Sequence, residues 1–287
     1  MVDRKIAVLA DVHGNLTALE AVIADAKKVG ATEFWTLGDI GTYGPGTVES
    51  YRLLQAENTT VWLQGNWEHR YVLAEKGEYG TDFESGKEVA FLNWMQRDYA
   101  AFSQSELAFI RELPTTQQVT VGEMTINLSH NTPFTNQGDE LTGTNPQANF
   151  SVLFDAPADL AIYAHVHTPL MRLHHRDELD FSGQRILNTG TVGQATDVRA
   201  AGPTAQYLLL TFNEIGLAST DFRRLVFDGE REKQRAIAAQ WPFADSYINM
   251  LAGKYSLAPE DLKGVADWPV LQANARAFFA ELGHEIS

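Results

Sequence analysis

Seven side chains in this sequence are of types that hold divalent cations through oxygen and nitrogen: Asp11, His13, Asp39, Asn66, His130, His165 and His167. Together they would offer donors of mixed charge, suited to Mn, Fe, Zn or Ni, with manganese favoured. Two carboxylates and four imidazoles are an electrostatically sensible environment for two dications. In Asp11-Val12-His13 and His165-Val166-His167 the paired residues stand two apart. A continuing strand would put both on one side, and a loop start could converge them on one ion. Two ions about 3.5–4 Å apart can share a carboxylate and a hydroxide, lower the pKa of bound water and polarise a phosphoryl oxygen. Such a hydroxide could attack phosphorus directly, with no covalent enzyme intermediate. Each element alone is commonplace. Gly-Asp and Gly-Asn suit turns, and a histidine after a strand is more often a hydrogen-bonded surface residue. The signal is their conjunction, in this order and at strand ends.

The elements that must position these residues are short apolar runs that stop abruptly at them. Ile6–Ala10 precedes Asp11, Phe34–Leu37 precedes Gly38-Asp39, and Val61–Leu63 precedes Gln64-Gly65-Asn66. Further on, Thr125–Leu128 leads to Ser129-His130, Leu160–Tyr163 to Ala164-His165, and Ile186-Leu187 to Asn188-Thr189-Gly190. Such runs read as buried strands with loops at their carboxyl ends. Between the first three lie helical patterns, Leu16–Val29 (stopped by Gly30) and Val48–Gln55. The order β-α-β-α-β predicts right-handed parallel connections, with ligands collecting beyond the strand ends. Residues 71–113 read as helical with polar interruptions. Val119–Ile126 reads as a hairpin around Gly122, and 170–181 and 207–222 as further strands. Three helical patterns follow at 231–240, 244–254 and 270–282. Trp94, Tyr99, Phe102 and Phe109 have the spacing of helix packing.

Composition narrows the class. At 287 residues with 44% hydrophobic and 21% charged residues, the chain can bury a substantial core and lacks the signature of disorder. There is no cysteine, so thiolate metal sites are excluded. The net charge of −15 disfavours long nucleic acid as a partner, since that binding draws on basic surface. A small phosphorylated substrate, nucleotides included, stays compatible if local cations offset the repulsion. No apolar run approaches a membrane span or a signal peptide, so a cytoplasmic location is expected.

The runs Asp11-Val12-His13-Gly14-Asn15, Gly38-Asp39-Ile40-Gly41-Thr42-Tyr43-Gly44-Pro45, Gly65-Asn66-Trp67-Glu68, Ser129-His130, Ala164-His165-Val166-His167-Thr168 and Asn188–Gln194 resemble those of the calcineurin-like metallophosphoesterases, especially their compact bacterial phosphodiesterases. The resemblance extends to about Arg224. It implies a four-layer αββα sandwich of two facing mixed sheets; the change to helical patterns after Val226 makes residues 1–226 that domain and 227–287 a helical extension packed on it. It further implies that Asp11, His13, Asp39 and His167 hold one metal ion, that Asp39, Asn66, His130 and His165 hold the second, and that Asp39 bridges.

Three positions depart from the pattern. Trp67 stands where the family often has a histidine acting as leaving-group acid, and an indole can only donate a hydrogen bond. His69 is the candidate to replace that acid, a surface histidine being the alternative. Ala164 and Ser129 replace glycines with other small residues. Without the usual acid, leaving groups that need little protonation should suffer least. Phosphodiester or nucleotide-type phosphoanhydride hydrolysis is therefore expected above alkyl monoester hydrolysis. Asn15, Tyr43 and Trp67 are candidate substrate contacts, although Asn15 and Tyr43 could instead order their loops. Arg199 could neutralise phosphate charge or be an ordinary exposed arginine. The rival readings are a phosphomonoesterase or protein phosphatase, a scaffold that has lost catalysis, and a metal-storage or regulatory binding module. A homo-oligomer is possible.

Overall fold

β1 (Arg4–Leu9) shows why two cores form around one sheet. Its alternate residues Ile6 and Val8, with Ala10 beyond its end, enter a cluster shared with a second sheet, while Ala7 and Leu9 enter a cluster shared with helices. All five are fully buried, which explains a continuous apolar run in place of the alternation of a half-exposed strand. The computed structural model describes residues 3–175, 180, 183–195, 202–254 and 262–286. Arg199 lies outside them.

The first sheet has the order β10-β9-β1-β2-β3, with β2 (Glu33–Thr36), β3 (Thr59–Trp62), β9 (Thr204–Asn213) and β10 (Gly216–Val226). β1, β2 and β3 are parallel, as the β-α-β-α-β order predicts, and β9 and β10 are antiparallel additions. The second sheet runs β4-β5-β6-β8-β7, from β4 (Thr116–Val121), β5 (Met124–Ser129), β6 (Leu160–Tyr163), β7 (Leu170–His174) and β8 (Gln184–Asn188). β5, β6 and β8 are parallel, with β4 and β7 antiparallel at the edges. Both sheets are therefore mixed. They face each other across Trp35, Leu37, Val61 and Leu63 from the first sheet and its loops and Ile126, Leu128, Ile162 and Leu187 from the second.

Helices cover the outer face of the first sheet. α1 (Leu16–Lys28) starts at Asn15, whose side chain accepts from the Ala18 backbone N–H, and it ends in Lys27 and Lys28 at the negative end of its dipole. Leu19, Val22, Ile23 and Ala26 form its buried face. The larger of these side chains contribute about 1.5–3 kcal/mol each. α2 (Thr47–Ala56), α3 (Asn66–Glu75), α4 (Gly86–Ala101) and α5 (Gln104–Arg111) extend this layer. The outer layer over the second sheet is thinner: a 3₁₀ helix at Gln147–Phe154 and its approach place Leu141, Phe150 and Leu153 on Tyr163 and Ile186. The αββα order holds with one thick and one thin helical side.

Among the described residues, three helices after β10, α6 (Gly229–Ala238), α7 (Ala244–Leu251) and α8 (Trp268–Glu281), lie close to the expected positions. Their buried residues, Tyr247 and Phe278 among them, join the cluster that contains α1 and the helical face of the first sheet. Buried polar contacts add to this. Glu232 accepts from the Thr17 backbone N–H, the Thr17 hydroxyl and Tyr247 Oη. Trp241 Nε1 donates to the Tyr43 carbonyl, and Trp94 Nε1 to that of Pro242. Of the four aromatics read as helix packing, Trp94 and Phe102 are buried, and Tyr99 and Phe109 pack partly buried on the same core. No helix among the described residues is long and apolar enough to cross a membrane.

Candidate metal centre

All seven candidate ligands come to one rim of the sandwich, beyond the carboxyl ends of β1, β2, β3, β5 and β6. Loops far apart in sequence are laced there by backbone bonds. Asp11 N donates to Gly38 O at 3.0 Å, His13 N to Asp39 O at 3.0 Å, Ala164 N to His130 O at 2.9 Å, and Gly193 N to Asp11 O at 2.9 Å. The fit leaves no room for extra atoms: a Cβ on Gly193 would lie 1.9 Å from Val12 O, and one on Gly65 2.1 Å from Asp39 Oδ1. Asp11, His13, Asp39, His165 and His167 all have φ between 49° and 65°. This left-handed region is uncommon for non-glycine residues, though Asp and His tolerate it better than most. It persists where surrounding contacts over-determine the backbone, and such residues cluster at functional sites.

The side chains form two adjoining groups. Asp11, His13 and His167 present ligand atoms within 4.8 Å of one another, and so do Asp39, His130 and His165. In the first group His167 Nε2 lies 3.1 Å from Asp11 Oδ1 and 3.3 Å from His13 Nε2. In the second, His130 Nε2 lies 3.4 Å from Asp39 Oδ2 and 3.2 Å from Asn66 Oδ1. Asp39 Oδ2 also lies 3.8 Å from His13 Nε2, so this one oxygen faces both groups. The other oxygen, Oδ1, accepts the Trp67 backbone N–H at 2.8 Å.

This donor set fits cations. Asp11 and Asp39 are buried, and among the described residues neither has a Lys or Arg partner; besides the backbone N–H groups of His165 and Trp67, the groups that face them are imidazoles. Burial works against the charged ring of His130, yet the Asp39 and Asp11 carboxylates outweigh it and raise its pKa to about 9. Burial also resists charging of Asp11 and Asp39, but the surrounding imidazoles hold both carboxyls below their ordinary range. Burial pushes His13 and His165 down to about 4, leaving neutral rings able to donate a lone pair. His130 Nδ1 sits 2.7 Å from Leu37 O, a contact that places a proton on Nδ1 and turns Nε2 toward Asp39.

A sequence model described as the calcineurin-like phosphoesterase superfamily domain matches residues 5–214. The chain belongs to that superfamily. Within reach of the superfamily assignment, an uncharacterized protein of Methanocaldococcus jannaschii is 28% identical over 205 residues, covering 69% of this chain and 79% of that protein. A metallophosphoesterase from Sphaerobacter thermophilus superposes with a TM-score of 0.61 at 24% identity, over 88% of this chain and 100% of that one. A hypothetical protein from Pyrococcus horikoshii gives 0.63 at 17% identity, over 86% and 97%. At these identities the two structures speak for the calcineurin-like fold alone.

A cleft of about 230 Å³ opens on the two groups. His13, Asp39, Asn66, His165 and His167 line it together with Trp67, Arg70, Tyr79, Lys87, Trp94, Gln194 and Leu262. Of the expected substrate contacts, Trp67 is at this wall, with its ring edge-on to His13 at 5.6 Å. Three other candidates lie away from the cleft lining. Tyr43 is fully buried, its ring packed on Trp94 and Tyr247 and its hydroxyl directed to Ser246, so it orders its loop from below. Asn15 is also fully buried, its amide spent on capping α1 and on Gly193 O. His69, the candidate acid, does not line the cleft; it is half-buried beside Gln64 Oε1 at 3.1 Å. Its place on α3, three residues after Asn66, would allow a shared helix face, but its ring is turned to Gln64 and away from the cleft.

Sequence reasoning missed Glu68. This buried carboxylate accepts from the backbone N–H groups of Asp39, Ile40, Gly41 and Gly65 and from Tyr51 Oη. It ties the loop after β2 to the start of α3, which carry Asp39 and Asn66. A glutamate two residues after a candidate ligand gives no sign of burial by type alone. Arg70 was missed too, although it stands one helical turn from Asn66, a spacing that sequence does offer.

Proposed function

We propose that the chain is a dinuclear metal-dependent phosphoesterase acting on phosphodiester or nucleotide-type phosphoanhydride substrates. The observation that carries this reading is the pair of adjoining His/Asp groups with Asp39 Oδ2 facing both. Asp11, His13, Asp39 and His167 would hold one ion, and Asp39, Asn66, His130 and His165 the other, with manganese the first ion to test. When bound, such ions supply Lewis-acid polarisation of the phosphoryl oxygens and make water acidic enough to furnish a nucleophile near neutral pH.

The protein's own residues do the rest. Asp39 sets the spacing of the two groups, its Oδ1 pinned by the Trp67 N–H. Glu68 and the laced loops keep that geometry fixed, so little reorganisation is needed during reaction. Trp67 and Trp94 wall the cleft with apolar surface and thin out water beside the reacting phosphate. Beyond the ligand candidates the described lining includes no imidazole or carboxyl group to protonate a departing oxygen. Esters and anhydrides with good leaving groups are favoured accordingly. Leu262, from the segment after residue 226, reaches the cleft, which supports treating residues 227–287 as part of one working domain with 1–226.

The test is an assay of the Mn²⁺-loaded protein on a phosphomonoester, a phosphodiester and a dinucleoside polyphosphate, with metal content measured alongside. Two ions per chain and a preference for the last two substrates are expected. Monoester preference would overturn the specificity, and intact substrates on metal-replete protein would overturn the enzyme reading altogether.

A further inference from the structure

The cleft wall opposite the ligand loops carries two cations that neither the fold nor the metal centre requires. Arg70 lies on α3 one turn beyond Asn66, half-buried, with its guanidinium carbon 4.6 Å from the Trp67 ring centroid and 5.4 Å from that of Tyr79. Four arginines elsewhere are matched with acids, Arg4 with Glu33, Arg52 with Glu106, Arg111 with Glu75 and Arg223 with Asp25, while Arg172 and Arg276, like Arg70, lie over rings, those of Phe150 and Phe83, but away from the cleft. Arg70 has no carboxylate partner among the described residues, in a chain of net charge −15 where acids are abundant. The aromatic rings hold its plane and leave N–H donors to spare, so little side-chain entropy remains to be lost when an oxyanion binds. Lys87 stands exposed at the same cleft in the first turn of α4. A cation there opposes the helix dipole, whose positive end favours Asp or Glu. Helix stability therefore does not account for it.

Because Trp67 touches both the Arg70 guanidinium and the His13 ring, Arg70 lies no farther from His13 than those two ring contacts end to end. A guanidinium at that remove, with an ammonium lining the same cleft, addresses an anion next to the scissile phosphate, since Arg binds phosphate in a fork and Lys binds it as a point charge. We propose that Arg70 and Lys87 form a second-phosphate subsite, and that the substrate is a phosphoanhydride or phosphoester bearing another phosphate beyond the one attacked. This deepens the phosphoesterase reading and rests on it.

The experiment compares Arg70→Met, Arg70→Lys and Lys87→Met with the parent in full-length Mn²⁺-loaded protein. Substrates are bis(p-nitrophenyl) phosphate, which has no second phosphate, and diadenosine tetraphosphate. Binding of inorganic pyrophosphate and of inorganic phosphate is measured by calorimetry on the same samples. For Arg70→Met the loss of kcat/KM on the tetraphosphate should exceed that on the diester at least tenfold and fall mainly on KM. Pyrophosphate should weaken at least tenfold more than phosphate. Arg70→Lys should recover part of both, and Lys87→Met should show the same bias more weakly. Equal losses on the two substrates, or pyrophosphate binding indifferent to both cations, would overturn the subsite while leaving the phosphoesterase intact. A parent protein that hydrolyses neither substrate would instead overturn the underlying function.

Discussion

The rim of the sandwich and the helical wall opposite it are built on contrary principles. At the rim, short loops are fixed by backbone hydrogen bonds, left-handed residues and glycines with no space for a Cβ. Across the cleft, α3 and α4 meet through aromatic rings, with Trp67 tilted on Phe91 and Trp94 and Tyr79 edge-on to Phe91. Metal ligands tolerate little displacement, so the rim suits chemistry common to a superfamily. Ring packing accepts other side chains of similar volume at modest cost, so the wall suits a specificity particular to one protein. On this view, rim substitutions should abolish activity and wall substitutions should redirect it.

The largest effect is expected at Asp39. Asp39→Asn keeps the shape and an acceptor for the Trp67 N–H but removes the charge facing both groups. Metal content should fall below two ions per chain, and kcat/KM on a diester by about 10³-fold or more, in line with the several kcal/mol metal polarisation contributes. Chelation of the parent should match that loss and lower its melting temperature, because an ion bound only to the folded state stabilises it. Full metal content and turnover in the variant would erase the contrast between rim and wall.

Glu68 asks whether the rim is rigid because it is laced. Glu68→Gln places an amide NH₂ against donors that a carboxylate accepted. The expected cost is about 2–4 kcal/mol in urea unfolding and about 10–100-fold in Mn²⁺ affinity, as for other residues supporting metal ligands. A loss of stability with metal affinity unchanged would mean that Glu68 holds the fold and not the site.

Sequence and structure agree unevenly across the two regions, for a physical reason. The strand ends could be read because a buried parallel strand must be apolar on both faces and its stop is abrupt, as at Ala10-Asp11 and Leu37-Gly38-Asp39. The helices after β10 could be read from periodicity. What periodicity cannot show is which helix face meets the cleft: Tyr43 and Asn15 sit on ligand loops yet point into the core, and His69 is three residues from Asn66 yet outside the cleft. Side-chain direction after a strand depends on a single φ, and at this rim many φ values are positive. Glu68 and Arg70 are charged residues on a helix, a description that fits any solvated face. Only their surroundings separate a buried organiser from a cation at the cleft.

The wall has a buried acid of its own. Asp98 accepts from Tyr71 Oη at 2.5 Å within the α3–α4 packing, and burial raises its carboxyl to about 8 from an ordinary 3.8. Between those values the folded protein holds a proton that the unfolded chain has released. Stability from this group is full below about pH 4, declines by about 1.4 kcal/mol per pH unit as pH rises, and levels off above about 8. Asp98→Asn removes that slope. Urea unfolding at pH 5 and pH 8 should show the variant gaining on the parent by a few kcal/mol at the higher pH, with Mn²⁺ affinity at pH 5 little changed. Parallel profiles would show that the wall accommodates the charge.

The smallest effect, and the sharpest for mechanism, belongs to Trp67, which touches both regions: its ring meets His13 on one side and Arg70 on the other. Trp67→His introduces an imidazole at the cleft wall while removing apolar surface from Phe91 and Trp94. A positioned acid typically contributes about 10²–10⁴-fold; an imidazole without evolved support should recover about tenfold, and only for leaving groups that need a proton. Plotting log kcat against leaving-group pKa for a series of aryl and alkyl diesters reads this directly. The parent should slope downward as leaving groups become poorer, and the variant should slope less. If both lines are equally steep, departure of the leaving oxygen does not limit the reaction, and the preference for good leaving groups must come from binding at the wall.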